Sequence, residues 1–238
     1  LQRPHVLSEA EEALLAKASE VFNASSNTFG MLNNADLSFP FIIDEAGEEV
    51  EVTHGRYSTF LESNDRRVRK DAFEAVYSTY GKFLNTFSST LAGVVKKQNF
   101  NADVRHFDSA RQAALSENNI PEQVYDNLVQ TVNDNLHLLH RYTDLRKKVL
   151  AVDELHMYDI YTPMLPDFAK KIPFEEAKET VLKAFAPLGE DYVNTVAEGF
   201  CNRWIDIYEN EGKRSGAYSA GAYSTHPYVL LNHNDTLD

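Results

Sequence analysis

At 238 residues and 43% hydrophobic content, the chain is long enough to bury a sizeable core. Asp and Glu number 36 against 23 Lys and Arg, and the resulting formal charge of −13 opposes binding to nucleic-acid phosphates or anionic lipid. The single Cys201 excludes an internal disulfide, and apolar runs such as Tyr228 to Leu231 fall far short of the roughly 18 residues of a membrane span.

No signal-like leader precedes Ser8, so a cytoplasmic setting without membrane or nucleic-acid partners is expected. The chain starts at Leu1 and ends without a closing element after Asn232, so both ends are expected to be cut from a larger protein. Oligomeric state stays open.

Ser8-Glu9-Ala10-Glu11 has the spacing of a capping box, and Ala13, Leu14, Ala18, Val21 and Phe22 follow at helical intervals. A helix is expected from about Glu9 to Phe29, ending near Gly30 and Asn33-Asn34. A small hairpin is expected over about 37–53, turning at Asp44 to Glu48. Asn64 and Asp65 can cap one long helix with Val68, Ala72, Val76, Tyr80, Phe83, Phe87, Leu91 and Val94 on its apolar face.

Another helix is expected over Ala102 to Ser116, and Pro121 suits the first turn of the next. There Val124, Leu128, Val132, Leu136, Leu139, Tyr142, Leu145 and Val149 form one stripe. Pro173 opens a last helical region, which Pro187 interrupts and which runs to about Tyr208. Leu155 to Tyr161, Ser215 to Ala222 and His226 to Asn232 read as extended, rich in aromatic and β-branched residues beside glycine and proline. The fold class is therefore mainly α, with a small β-sheet near the C-terminal end, expected as one continuous unit over 1–238.

The chain lacks the familiar catalytic signatures. No His-Glu-x-x-His, cysteine pair, nucleophile elbow, P-loop or dinucleotide fingerprint occurs, and no catalytic or metal-ligating residue is assigned. His137 and His140 share a helix face without an acidic third ligand and read as structural. Glu154, His156 and Asp159 could do acid-base work, but a hydrogen-bonded polar edge explains them better. Cys201, between Phe200 and Trp204 in a helical pattern, is expected to be a buried thiol. Arg66 to Lys70 is expected to be a solvated basic face.

The most informative stretch is Glu209 to Ser219, followed by Thr225 to Asn232. Glycines at 212, 216 and 221 among small side chains permit close backbone approach, and an edge strand there can hold a peptide by main-chain pairing. A plain structural hairpin explains the same residues.

Several separate stretches resemble oligoendopeptidase F, a branch of the zinc oligopeptidases related to thimet oligopeptidase and neurolysin. They are Leu37 to Pro40, Thr53 to Ser63, Arg66 to Phe73, Asn119-Ile120-Pro121, Leu139 to Tyr142, Glu154 to Tyr161, Glu211 to Tyr218 and Thr225 to Tyr228. The resemblance implies a hydrolase acting on internal bonds of short unstructured peptides. It further implies that this segment supplies the long-helix wall of a deep channel, and that Gly216, Ala217, Tyr218 and His226 bind substrate along an edge strand. The family's Zn²⁺, which polarises the scissile carbonyl while a glutamate activates water, is implied to sit on ligands beyond residue 238. The segment alone is accordingly expected to be inactive. A non-catalytic helical peptide-binding or scaffold protein is the alternative.

Overall fold

The computed structural model describes residues 3–165, 171–210 and 213–235. Eight α-helices dominate: α1 (Glu9–Met31), α2 (Tyr57–Glu62), α3 (Arg66–Lys82), α4 (Leu84–Val104), α5 (Ala110–Ser116), α6 (Glu122–Val149), α7 (Phe174–Ala184) and α8 (Glu190–Cys201). Five short strands complete the described chain: β1 (Phe41–Ile43), β2 (Glu49–Glu51), β3 (Ile205–Asp206), β4 (Tyr218–Ala220) and β5 (Tyr228–Leu230). Where one continuous unit is expected from sequence, contacts divide the chain into two compact units. The first comprises 1–37 and 78–155, the second 38–77 and 156–238, and α3 runs through the division at Tyr77 and Ser78.

In the first unit α1 begins as its capping box dictates: the Ser8 hydroxyl accepts from the Glu11 amide while Glu11 accepts from the Ser8 amide. The helix passes Gly30 and closes in a π turn over Leu32–Asp36, so the glycine does not end it. α1 packs on α4 through Phe22 against Phe100 and Phe29 against Phe87, with ring centroids 5.3 and 5.7 Å apart. Gly93 permits this approach, because a Cβ there would sit 2.0 Å from Ser25 Oγ. The Arg105 guanidinium grips the Glu12 carboxylate at 2.7 and 2.8 Å, and this fork holds Glu12 down to about 2.

The long helix expected from Asn64 onward is two helices. The ladder breaks at Phe83 (φ −112°, ψ 17°), two residues after Gly81, whose missing side chain lowers helix propensity. The helix expected over Ala102–Ser116 is likewise split, its first residues ending α4 and the rest forming α5 behind a left-handed His106.

In the second unit β1 and β2 pair antiparallel with Phe41 opposite Glu51, a hairpin within the expected 37–53. Phe39, Ile42, Val52, Leu61, Val68, Ala72, Ala75, Val76 and Tyr158 form its buried apolar core. The hairpin is tied to α3 by Arg67, whose guanidinium donates to the carbonyls of Ile43 and Asp44 at 2.8 and 3.0 Å. Pro173 caps α7, and Pro187 sits in a 3₁₀ turn over Ala186–Leu188. The helical pattern read as far as Tyr208 ends at Cys201; Ile205–Asp206 is strand β3, because its N–H and C=O groups go to a parallel partner, β5. No described helix is long and apolar enough to cross a membrane.

Leu61 is 2% exposed, and Leu61→Ala should cost about 2–5 kcal/mol through lost burial and the cavity left behind. A fall in the urea midpoint without a change in slope would show it.

Candidate functional site

Two features of the second unit carry most of the residues that sequence singled out. The first is a buried charge cluster. His156 precedes a 3₁₀ turn over Met157–Asp159, where an extended run is expected from sequence, and the turn forms because Asp159 folds back to accept from the His156 amide at 3.0 Å. The Asp159 side chain is fully buried and meets Arg66 Nε and Nη2 at 3.1 and 2.9 Å and Arg69 Nη2 at 2.9 Å. Burial pushes this carboxyl up, but Arg66, the His156 amide and Arg69 together outweigh it and hold it down to about 2.

The basic run is therefore not a solvated face throughout. Arg67 and Lys70 are exposed, whereas Arg69 is 3% exposed and directs its Nη1 to the carbonyls of Ser63 and Asn64. A carboxylate saturated by two guanidiniums and an amide is a fixed anion rather than an acid or base, so the cluster is an anchor. Glu154 belongs to the first unit.

The second feature is the sheet β3-β5-β4. β5 pairs parallel with β3 on one side and antiparallel with β4 on the other, Tyr218 standing opposite Leu230 and Ala220 opposite Tyr228. β4 is an edge: among the described residues its far side has no strand partner, and all three of its residues are exposed. The amides of Val229 and Leu231 donate toward β3, to the carbonyls of Trp204 and Asp206, each at 2.8 Å. Alternation then turns Tyr228 and Leu230 toward β4, so Tyr218 and Ala220 face β5 and Ser219 faces the open side. The same alternation directs Ala217 outward.

The four residues expected to bind substrate thus separate. Gly216, at φ +86°, turns the chain into β4, and Ala217 and Tyr218 lie at its start. The Tyr218 ring is half-exposed, while its main chain is engaged with β5. His226 precedes β5, stacked on Trp204 with centroids 4.6 Å apart and tilted against Tyr228 at 4.7 Å. Its Nδ1 lies 2.9 Å from Pro227 O, so this imidazole braces the sheet. Sequence reasoning missed Ser219 as an outward pairing position; period-two alternation signals that one parity faces out, but only the strand partner decides which. Gly212 and Glu211, part of the same motif, lie outside the described residues.

No group of three His, Cys, Asp or Glu side chains among the described residues is arranged to hold a metal ion. His137 and His140 are exposed on α6, the former with Nδ1 3.1 Å from its own helix's Asp134 carbonyl. The described residues therefore do not fit a resident catalytic zinc. Cys201, expected to be buried, is exposed at the last turn of α8, because the core side of that turn is taken by the neighbouring Phe200, packed on Phe174.

A mainly helical chain with an open-edged small sheet defines a structural class that comparison makes specific. The model of the family described as Peptidase family M3 matches residues 59–238, and that described as Oligopeptidase F matches residues 1–39. The chain belongs to peptidase family M3. Oligopeptidase PepF of Bacillus subtilis is 61% identical over 235 residues, 98% of this chain and 35% of its own length. Group B oligopeptidase PepB of Streptococcus agalactiae is 52% identical over 236 residues, 99% of this chain and 39% of its own.

Among solved structures, oligoendopeptidase F from Enterococcus faecium has a TM-score of 0.68 and 53% identity, covering 85% of this chain and 38% of that one. PZ peptidase A, solved with an inhibitor, has a TM-score of 0.77 at 18% identity over 98% of this chain and 41% of its own, a likeness of fold alone. The chain spans little more than a third of the length of the curated relatives it matches.

Asp159→Asn leaves two guanidiniums without their shared counter-charge and should destabilise the second unit by about 3–5 kcal/mol, with the smaller share from Arg66, which is 41% exposed. Because Asp159 is held below its ordinary value of 3.8, its contribution is complete above that value and is lost as pH falls toward about 2. Acid titration followed by circular dichroism should show the variant losing that part of the pH dependence.

Proposed function

We propose that this chain is part of a zinc metallo-oligoendopeptidase that hydrolyses internal bonds of short unstructured peptides. In this reading the long helices wall the substrate channel, and β4 offers its open edge to the peptide. The observation that carries the reading is that edge: Ala217 and Ser219 turn N–H and C=O groups outward from a strand with one neighbour among the described residues. Main-chain pairing of this kind accepts an extended peptide whatever its side chains, which suits a peptidase of broad range. Family membership supplies the reaction class and, with it, the zinc; the described residues contribute peptide positioning rather than metal ligands.

The −13 charge supports a preference for peptides bearing basic groups, felt most at low ionic strength. A cytoplasmic location belongs to the same reading, supported by a chain with one cysteine. A peptide-binding protein without catalysis would use the same edge, and hydrolysis separates the two.

The test compares these 238 residues with a protein carrying them within the full family length, using an internally quenched unstructured peptide and a stable folded domain. Only the longer protein should cleave, it should cut the peptide and spare the folded domain, and chelation should abolish the activity. Intact peptide after prolonged incubation with the metal-loaded longer protein would sink the peptidase reading in favour of binding alone.

A further inference from the structure

An edge strand with one neighbour is only as straight as the chain that leads into it. β4 is entered through Gly216, whose φ of +86° bends the backbone out of the ladder. The register of Tyr218 with Leu230, continued by two residues, sets Gly216 opposite Asn232. At that point a side chain replaces the ladder: Asn232 Nδ2 donates to Gly216 O at 2.7 Å and to Arg214 O at 2.9 Å. Both amide hydrogens are used, and the orientation is fixed, because the flipped carboxamide would set an oxygen against two carbonyl oxygens.

Lys213 secures the chain one residue earlier. Its side chain is 4% exposed, and Nζ lies 2.5 Å from Tyr208 O and 3.1 Å from Asp206 Oδ1. The approach to β4 is thus held by two side chains that reach main-chain carbonyls, and Asn232 is the one adjoining the open edge.

We propose that Asn232 is the positioning residue of the peptide-binding edge. Its carboxamide fixes the main chain at 214–216 so that the outward groups of Ala217 and Ser219 lie in line for an added strand. It touches no substrate itself. The inference rests on the peptide-binding role of β4 argued above, and it adds the residue that gives the edge its shape.

Two variants and two readouts test it. In the metal-loaded longer protein, Asn232→Ala and the near-isosteric Asn232→Asp should both raise KM for an unstructured peptide. The expected loss is about 10–100-fold in kcat/KM, carried mainly by KM. Asp should be no better than Ala, since its carboxylate brings no hydrogens to two carbonyls; a packing role would let Asp behave as wild type.

In the 238-residue chain, hydrogen exchange should show the amides of Tyr218 and Ala220 losing protection at least about tenfold, while Val229 and Leu231, bonded toward β3, keep theirs. Wild-type exchange or an unchanged KM in Asn232→Asp overturns the proposal. A wild-type longer protein that cleaves no peptide overturns the peptidase reading and the substrate role of Asn232 with it, while the exchange result still decides whether Asn232 holds the strand.

Discussion

A carboxylate with no solvent exposure sets the conditions for the second unit. Asp159 cannot stay ionised without donors around it, and those donors come from far along the chain: Arg66 and Arg69 from the first turns of α3. Spaced three apart, the two arginines project from one helix face and reach the same carboxylate. The His156 amide supplies the local bond, and Thr162 extends the tie by donating to Leu61 O at 3.3 Å. Closing a loop of some ninety residues costs several kcal/mol of chain entropy. The ion pairs work together with burial of Leu61, Val68, Ala72 and Tyr158, which provides the non-directional part of the attraction, while the charges fix which residues meet.

Local rules were legible where they had local causes. Ser8 and Glu11 announce the start of α1, Pro121 and Pro173 the beginnings of α6 and α7, and the Asp44–Glu48 turn the β1–β2 hairpin. What failed depended on partners distant in sequence. Phe83 fits the apolar period of a single long helix, and nothing in that period marks the break at its own backbone. Ile205 and Asp206 fit a helix equally well until β5 draws their main chain into a sheet. Arg69 is indistinguishable from Arg67 by composition, yet one is buried on Asp159 and the other exposed.

Periodicity also reports that a face is apolar without reporting what covers it. Val124, Leu128 and Val132 on α6 form the expected stripe, yet they are 54%, 61% and 54% exposed. The same limit applied to the candidate site: the family resemblance pointed to the segment around Gly216, Ala217 and Tyr218, but the outward direction of Ser219 emerged only once the direction of the Val229 and Leu231 amides was known.

If β4 holds peptide as proposed, the edge strand combines two demands that ordinarily conflict. Accepting varied peptides requires recognition through main-chain groups, whose positions a short exposed strand holds weakly. A three-residue edge of exposed residues would fray, and an unpaired edge also invites association with another chain. Here the stiffening comes from behind, through the carbonyl-directed contacts of Lys213 and Asn232, the ladder to β5, and the His226 ring wedged between Trp204 and Tyr228. None of these contacts uses the outward groups of Ala217 or Ser219. Rigidity and openness can therefore be set separately: side chains on the protected side determine the shape of the edge, and the open side keeps its hydrogen-bonding capacity for a ligand. That separation explains why glycines and small residues surround β4 while the polar side chains with fixed geometry flank it, and it makes Asn232 more informative to alter than any side chain on the strand itself.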